Sequence, residues 1–424
     1  MKKFFKKIIA FKLRIAAKIL LWRKKPEIIA ITGSAGKTTA KSFLAELLSI
    51  DFDVLSSSEG YNTDIGVPLV LFSEKIPEKI TSIWSWIKIT FRVFWKALFA
   101  GEYPEKVIIE MGADAPGDIE YLCRLFKPQK GIILSVLPTH LLEFKNVDAV
   151  AKEKAILARS LPEGGRLYLN YDDPLVREMS KKTRADVVFF GQENGSNYKI
   201  ENLKSDIDGT AFTLNYFGEK KEYSARIYGK QMVYPLAVSI IAALDENINE
   251  AKIKETVSKI KSFKGRMNVI PGIKESTIID DSYNSSPEAA KAALEFLSEQ
   301  KERRIAVLGN MNELGDYEKE GHEKVGEKAA GTADIIITVG DAAEKYLLAA
   351  AKKAGFGEDN IKSFPNSKKA GEYLKKIVKK GDMILVKGSQ NKVRLEKAVE
   401  KIMAEPKKAE DVLVRQGGSW QNQN

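Results

Sequence analysis

Short apolar runs alternate with amphipathic helical patterns along most of this 424-residue chain. Apolar runs bounded by turn residues predict strands, and a period near 3.6 residues predicts the helices between them. This alternation is typical of a mostly parallel sheet with crossover helices. The predicted strands form two series, the first at 27–32, 106–110, 131–136 and 166–170, and the second at 304–308, 334–339 and 383–387.

The two series predict an α/β protein with two folded domains. We expect a central ATP-binding domain with a mostly parallel sheet at 27–262. A smaller Rossmann-like α/β domain is expected at 263–405. A basic amphipathic segment at 1–26 precedes them, and a polar tail at 406–424, which we expect to be loose, follows.

The N-terminal segment concentrates the positive charge of the chain. Residues 1–25 hold ten lysines and arginines and no acidic residue, and subtracting these ten from the formal net charge of +11 leaves +1 for the rest. This near-neutral body argues against nucleic acid as a partner. One helical stripe of the segment consists of Phe4, Ile8, Phe11, Ile15, Ile19 and Trp22. It favours a helix lying on an anionic membrane surface, while a helix packed on its own protein and a disordered tail stay open.

A second unusual segment runs from Trp84 to Phe99. It is apolar except for a few polar residues, among which Lys88, Arg92 and Lys96 recur every four residues and form one thin basic stripe on a helix. This pattern fits a surface that contacts a membrane or a partner. It equally fits a buried helix whose lysines extend to solvent.

The chain has one cysteine, Cys123, and two histidines, His140 and His322. A single cysteine excludes an internal disulfide and leaves too few thiolates for a structural zinc site. We therefore expect a protein of the reducing cytoplasm, with peripheral contact at the inner membrane face as an open question.

A phosphate-binding motif follows the first predicted strand. The strand ends in Ile31 and runs into Thr32-Gly33-Ser34-Ala35-Gly36-Lys37-Thr38-Thr39, and a helical pattern follows. Glycines let backbone N–H groups approach phosphate oxygens, and a helix N-terminus favours an anion. We expect Lys37 to reach the terminal phosphates and Thr38 to ligate Mg²⁺, although a Gly-rich turn without a ligand is an alternative.

This loop resembles that of the Mur ligase family, and further segments in the same order strengthen the match. They are Gly60 to Pro68 with Asn62 and Asp64, Glu110 to Ala113, Thr139 to Leu141 with His140, and Ala151 to Lys154. The resemblance implies that Glu110 and His140 bind Mg²⁺ and that Lys154 is carbamylated, giving an oxygen ligand to a second Mg²⁺. Each residue also has a structural alternative, and Lys152 is an adjacent rival to Lys154.

Motifs in the second series resemble the branch of the family that adds D-alanyl-D-alanine. They are Gly265 to Met267, Asp280 to Pro287, Val307 to Gly315 and Val386 to Ser389. The resemblance implies that ATP is bound by Arg266, Asp281, Tyr283 and Asn284. It implies that the substrates are contacted by Asn62, Asp64, Asn310, Glu313, Lys387 and Ser389. A satisfied turn at 281–284 and a surface ion pair at Arg266 are the alternatives.

The resemblance implies an ATP-dependent amide-bond ligase of peptidoglycan precursor synthesis. ATP would phosphorylate a peptide carboxylate, and the amine of D-alanyl-D-alanine would attack the acyl phosphate, with Lys37, His140, Lys154 and Arg266 as catalytic residues. The expected partners are a nucleotide-linked peptide and D-alanyl-D-alanine, and the expected state is a monomer. Only about 26 residues precede the phosphate loop, where family members carry a domain for the UDP-sugar. A lipid-linked or non-muramoyl acceptor therefore stays open, as does a non-catalytic nucleotide-dependent scaffold.

Overall fold

The computed structural model describes residues 2–56, 65–77, 82–138, 141–312, 314–390 and 393–417. Two sheets organise this part of the chain, one from strands before residue 226 and one from strands after residue 267. Helices cover both faces of each sheet, as crossover connections between parallel strands require. The predicted α/β architecture, with a large mostly parallel sheet and a second smaller sheet, is confirmed.

The first sheet is parallel over most of its width and ends in an antiparallel meander. Its strands are β1 Glu27–Thr32, β2 Val54–Ser56, β3 Lys106–Glu110, β4 Lys130–Ile133, β5 Arg166–Asn170, β6 Asp186–Gly191, β7 Tyr198–Asp206, β8 Gly209–Tyr216 and β9 Glu219–Ala225. Within the described residues, these nine strands follow the order β2-β3-β1-β4-β5-β6-β7-β8-β9. Neighbours from β2 to β7 run parallel, whereas β7, β8 and β9 pair antiparallel. The strand expected at 131–136 ends at Ile133, because the chain beyond it turns to hold the phosphate loop.

Helices bury apolar stripes on the two faces of this sheet. One face is covered by α1 Lys2–Lys24, α3 Gly66–Val70, α4 Ile83–Phe99, α5 Asp118–Phe126, α6 Leu141–Phe144, α7 Val147–Ser160 and α8 Pro174–Arg177. The other face is covered by α2 Lys37–Leu48, α9 Val233–Asp245 and α10 Glu250–Lys259. No helix in the described ranges is both long enough and apolar enough to cross a membrane.

The N-terminal helix α1 belongs to the core of this domain. Its buried side chains, at 4% exposure or less, are Ile9, Leu13, Ala16, Ala17 and Leu20. The disordered-tail alternative is therefore wrong for 2–24. The stripe predicted from the sequence lies on the opposite side of the helix, where Phe11 and Trp22 are 54% and 75% exposed.

The second sheet has five parallel strands and one antiparallel edge strand in the described part of the chain. Its strands are β10 Asn268–Pro271, β11 Thr277–Asp281, β12 Arg304–Gly309, β13 Ile335–Val339, β14 Ile361–Phe364 and β15 Met383–Lys387, in the order β10-β11-β15-β12-β13-β14. Its helices are α11 Pro287–Ser298, α12 Glu318–Ala330, α13 Ala349–Lys353 after a π-helical turn at Ala343–Leu348, α14 Ser367–Ile377, α15 Glu396–Ile402 and α16 Ala409–Val412.

The segment expected to be a loose tail packs on the second domain over residues 406–417. Leu413 is 2% exposed, and the guanidinium of Arg415 pairs with the buried carboxylate of Glu396 at 3.0 Å. The same guanidinium donates to the backbone carbonyl of Ser282 at 3.3 Å. The tail prediction is wrong here because Leu413, Val414 and Arg415 bury their side chains against the second domain.

Candidate active site

The predicted phosphate loop lies where the first sheet reverses its strand order. From β1 the chain moves outward to β2, returns to β3 beside β1, and then crosses to β4 on the other side of β1. Ligands of open α/β sheets bind in the crevice at the carboxyl ends of such strands. Residues 33–36, Glu110 and the segment after β4 all leave the sheet at this edge.

The loop is held against the segment that follows β4. The Ser34 backbone N–H donates to the Ser135 carbonyl at 2.8 Å, and the Ala35 N–H donates to the Ser135 hydroxyl at 3.1 Å. The hydroxyl of Ser34 accepts from the Leu137 N–H at 2.9 Å. These bonds fix the loop backbone without using the N–H groups of the first turn of α2, which have no intrahelical acceptor.

Two glycines make this conformation possible. Gly36, just before α2, has φ +80°, and Gly33 has φ +152°, both in the range that favours glycine. A Cβ atom on Gly33 would lie 3.1 Å from Cβ of Leu134, and one on Gly36 would lie 3.1 Å from the Pro235 ring. The N-terminus of α2 is therefore left open to an anion, with no side-chain cap of its own.

Glu110 stands at the end of β3 directly beside the loop. Its carboxylate accepts from the Thr38 hydroxyl at 3.1 Å and lies 3.5 Å from the ammonium of Lys41. The interpretation of Glu110 as an isolated surface carboxylate is therefore wrong. Lys41, 2% exposed, was not singled out from the sequence, although its position one turn after Lys37 puts both on one face of α2.

Lys37 lies at the centre of the charged groups. Its ammonium donates to the Gly33 carbonyl at 2.8 Å. Burial lowers its pKa below the ordinary value, the charge of Glu110 opposes that shift, and the guanidinium of Arg266 lowers the pKa further. Arg266 comes from the start of the second domain, so both domains contribute positive charge to one place.

Lys154 in α7 is buried within electrostatic range of Lys37. It is 3% exposed, and burial, helped by the charge of Lys37, lowers its pKa to about 7. Lys152, the rival candidate, is exposed to solvent. The solvated-lysine alternative is therefore wrong for Lys154 and correct for Lys152.

The carboxylate next to Lys154 has a structural task. Glu153, 6% exposed, accepts from the backbone N–H groups of Gly117 at 3.0 Å and Ile119 at 2.9 Å, at the start of α5. It thereby fixes α7 against α5 and positions the adjacent Lys154. Nothing in the sequence pattern distinguished Glu153 from a solvated residue of the helix.

Arg266 holds its guanidinium over an aromatic ring of the second domain. Its guanidinium carbon lies 4.1 Å from the centre of the Tyr283 ring, and its buried Nε has no hydrogen-bond partner in the described structure. A buried donor without a protein partner is unfavourable, which makes this Nε a candidate contact for a bound anion. The surface ion-pair alternative for Arg266 is wrong.

The loop that carries Arg266 is fixed by two neighbouring aspartates at the end of β11. Asp280 accepts from the Gly265 N–H at 3.1 Å, and Asp281 accepts from the Met267 N–H at 3.2 Å. Complete burial raises the pKa of Asp280 to about 7. Asp281 is therefore bonded within the domain, as the structural alternative expected, while Tyr283 is half-buried and Asn284 is exposed.

Three residues expected to contact substrates connect strand ends in the second domain. The ammonium of Lys387, 3% exposed, pairs with Asp281 at 2.5 Å and donates to the Asn284 carbonyl at 3.1 Å. Ser389, 1% exposed, accepts from the Asn312 N–H, and its own N–H donates to the Asn310 carbonyl. Their polar groups are bonded within the domain, which holds these strand ends together, and their contact with substrates stays a prediction.

Four predicted residues, Asn62, Asp64, His140 and Glu313, lie outside the described residues. The side chain of Thr39 is buried, and its role in binding nucleotide stays a prediction. His322 accepts from the Met311 N–H through Nε2 and bonds the Glu318 carbonyl through Nδ1, which makes it a neutral structural residue. Among the side chains that the structure describes, no three His, Cys, Asp or Glu residues gather to hold a metal.

Comparison with known proteins agrees with this geometry. The Mur ligase middle domain matches residues 96–243, and the Mur ligase glutamate ligase domain matches residues 265–390. The chain belongs to the Mur ligase family, whose members are ATP-dependent ligases.

The names of individual relatives point to one type of ligase within this family. The UDP-N-acetylmuramoyl-tripeptide--D-alanyl-D-alanine ligase of Buchnera aphidicola is 28% identical over 91% of this chain and 78% of its own length. The ligase of the same name from Bacillus subtilis is 27% identical over 92% of this chain and 79% of its own length. The MurF ligase of Thermotoga maritima, solved with ADP, has the same fold, with a TM-score of 0.77 at 24% identity over 95% of this chain and 84% of that one.

Proposed function

We propose that this protein adds D-alanyl-D-alanine to the peptide of a UDP-N-acetylmuramoyl precursor, with ATP as the energy source. The observation that carries the proposal is the placement of Lys37, Thr38 and Glu110 at an open helix N-terminus, within electrostatic range of Arg266 from the second domain. Two relatives named UDP-N-acetylmuramoyl-tripeptide--D-alanyl-D-alanine ligase match more than nine-tenths of this chain. The proposed state is a monomer in the cytoplasm, where ATP is supplied.

The chemistry needs charge neutralisation more than a protein nucleophile. A carboxylate oxygen of the peptide attacks the γ-phosphorus of ATP, the bond to the β-phosphate oxygen breaks, and ADP leaves. The amine of the dipeptide then attacks the acyl carbon and loses a proton, and the carbon–oxygen bond breaks to release phosphate. Both steps join anionic or electron-rich groups, so Lys37 and Arg266 lower the barrier by stabilising charge on the transferred phosphoryl group.

The residues present fit ATP with Mg²⁺. The N-terminus of α2 and Lys37 would hold the phosphates, and the hydroxyl of Thr38 and the carboxylate of Glu110, 3.1 Å apart, are hard oxygen donors. Bound Mg²⁺ would offset phosphate charge at this point. His140 stays a predicted metal ligand.

Lys154 supports the proposed carbamate. Only a neutral amine adds to CO₂, forming a nitrogen–carbon bond and releasing one proton, and an amine with a pKa of about 7 is substantially neutral near pH 7. An ordinary lysine would be almost wholly protonated there. The resulting carboxylate would satisfy a buried site lined by Lys37 and offer oxygen to a second Mg²⁺.

The proposal is tested by measuring ADP release with UDP-N-acetylmuramoyl-tripeptide and D-alanyl-D-alanine, each present or omitted. We expect ADP release only with both substrates, and a loss of about 10²-fold or more in Lys37→Ala because one charge contact to the phosphoryl group is removed. Lys181→Ala is the matched control, since this lysine is 73% exposed and pairs with exposed Glu178. Full ligation by folded Lys37→Ala, or ADP release with neither substrate, would contradict the proposal.

A further inference from the structure

Eleven of the twelve large hydrophobic side chains exposed in the described part of the chain belong to two helices. On α1 they are Ile8, Phe11, Ile15 and Trp22, and on α4 they are Ile83, Trp84, Ile87, Phe91, Trp95, Leu98 and Phe99. Their combined exposed area is on the order of 1,000 Å², above the few hundred Å² usual for the largest patch on a monomer. A patch of this size marks an interaction surface.

The two helices present these side chains on one side of the molecule. The Arg23 guanidinium of α1 donates to the Ala97 carbonyl of α4 at 2.5 Å, and the Lys24 ammonium donates to the Gly101 carbonyl just beyond it. The opposite faces of both helices are buried in the same apolar core, through residues such as Leu13 and Val93. Because they touch each other and share a core, their outward sides form one continuous surface, which we call the outer face.

Aromatic rings dominate the α4 part of the outer face. The Trp95 ring lies 6.5 Å from Phe91 and 4.5 Å from Phe99, measured between centroids, so the three form a ladder along the helix. Trp84, 75% exposed, lies about two helical turns before Phe91. Tryptophan and phenylalanine on one side of an amphipathic helix are typical of helices that lie in the headgroup region of a bilayer.

The charge around the outer face is positive. Neither α1 nor α4 contains an acidic residue, and the exposed cations include Lys12, Lys18 and Lys88. The nearby Glu74 is neutralised by ion pairs with Arg92 at 2.8 Å and Lys96 at 2.9 Å. A second copy of this chain would bring two positive faces together, whereas an anionic lipid surface complements the charge.

We propose that the outer face of α1 and α4 docks in the plane of an anionic phospholipid bilayer. The exposed rings enter the headgroup region while the lysines pair with lipid phosphates. The inward side chains keep both helices on the protein, so docking needs no unfolding. The surface is separate from the site that binds nucleotide, and this proposal does not depend on the ligase activity.

The test is vesicle flotation with the full chain. Vesicles of equal parts phosphatidylglycerol and phosphatidylcholine are compared with pure phosphatidylcholine, at low and high salt. We expect flotation with the anionic vesicles, weakening as salt rises. The triple variant Trp84→Ser/Phe91→Ser/Trp95→Ser should bind at least about ten-fold more weakly. Phe217→Ser is the matched control, because Phe217 is 89% exposed but lies on the turn between β8 and β9.

The outcomes separate the possible occupants. Absence of wild-type flotation, or equal flotation of the triple variant, overturns the proposal. It is likewise overturned if the wild type self-associates without lipid and the triple variant is monomeric, since the face would then join two copies. Ligation in lipid-free solution should be unchanged in the triple variant, which also reports that it is folded. If that variant is unfolded, Lys12→Glu/Lys18→Glu/Lys88→Glu replaces it and should lose the preference for anionic vesicles.

Discussion

Arg266 is a residue of the second domain whose charge acts on the first. Its guanidinium stacks on Tyr283 in the second domain and acts electrostatically on Lys37 in the first. We expect Arg266→Lys to lower kcat/KM by about 10²-fold, because an ammonium keeps the charge but loses the planar fork that can stack and donate to a phosphoryl group at once.

Steady-state ligation kinetics provide the measurement for Arg266→Lys. Arg124→Lys is the control, since the side chain of Arg124 is 79% exposed and should tolerate the same exchange. A variant of Arg266 with near-normal kcat/KM would show that this arginine does not contact the transferred group.

Lys154 should make activity depend on pH and on dissolved CO₂. Its pKa of about 7 means that acidification through this value protonates the amine, and a protonated amine cannot hold CO₂. Ligation should therefore fall as the pH drops below about 7, fall in CO₂-depleted buffer, and be abolished in Lys154→Ala. Small carboxylic acids should partly restore Lys154→Ala by replacing the lost oxygen ligand.

The neighbouring lysine gives the control for this pH and CO₂ dependence. Lys152→Ala should behave as wild type because Lys152 is exposed. Full activity of Lys154→Ala, or the same CO₂ response in wild type and Lys154→Ala, would rule out a carbamate at this position.

The two sides of helix α1 should differ sharply in their effect on stability. Leu13 is completely buried, so Leu13→Ala should reduce the free energy of unfolding by about 2–5 kcal/mol through lost burial and a residual cavity. Phe11→Ala, on the outer face at 54% exposure, should change it by no more than about 0.5 kcal/mol. Urea unfolding of both variants measures this difference, and equal effects would show that α1 does not dock as described.

Helix α1 also shows what the sequence could and could not predict at the level of elements. Its apolar periodicity and length are evident, but apolar residues occur on two sides of the helix. The prediction used only the stripe with the largest residues, which it assigned to a membrane surface, and it did not anticipate that the other side, with Ala16 and Ala17, packs in the core. Periodicity cannot identify the buried side when both sides are apolar.

Strands were predictable where burial on both faces leaves an uninterrupted apolar run. This holds for β1, β3, β5 and β15, whose observed bounds equal the predicted ones. The meander of β7, β8 and β9 was missed, because one side faces solvent and its strands carry charged residues between the buried ones. The phosphate loop of the candidate site was predictable because its residues are contiguous in the sequence.

Contacts between segments distant in the sequence could not be predicted. The pairing of Lys41 with Glu110 joins α2 to β3, and the bonding of Lys387 to Asp281 joins strands more than a hundred residues apart. Such pairs depend on which strands become neighbours, and strand order is a property of the folded sheet. For this reason the ion pair of Lys387 with Asp281 could not be anticipated from the motif that contains Lys387.

At the scale of the whole molecule, the reaction depends on the second domain meeting the first. The connection is visible in the effect of Arg266 on Lys37 and in the contact between α6 and the 3₁₀ turn Gly315–Tyr317. Sequestering a phosphoryl group between two domains excludes water, which would otherwise hydrolyse the activated carboxylate. A ligase built this way should consume one ATP for each amide bond formed.

The most direct test of the proposed ligase follows one oxygen atom through the reaction. The terminal carboxylate of UDP-N-acetylmuramoyl-tripeptide is labelled with oxygen-18, and the labelled substrate is incubated with ATP and D-alanyl-D-alanine. The masses of the ligation product and of the released phosphate are then measured by mass spectrometry. Attack of the carboxylate on the γ-phosphorus predicts a pentapeptide product and one labelled oxygen in each phosphate released. Unlabelled phosphate, label in AMP, or absence of the pentapeptide with folded protein would contradict phosphoryl activation of this carboxylate.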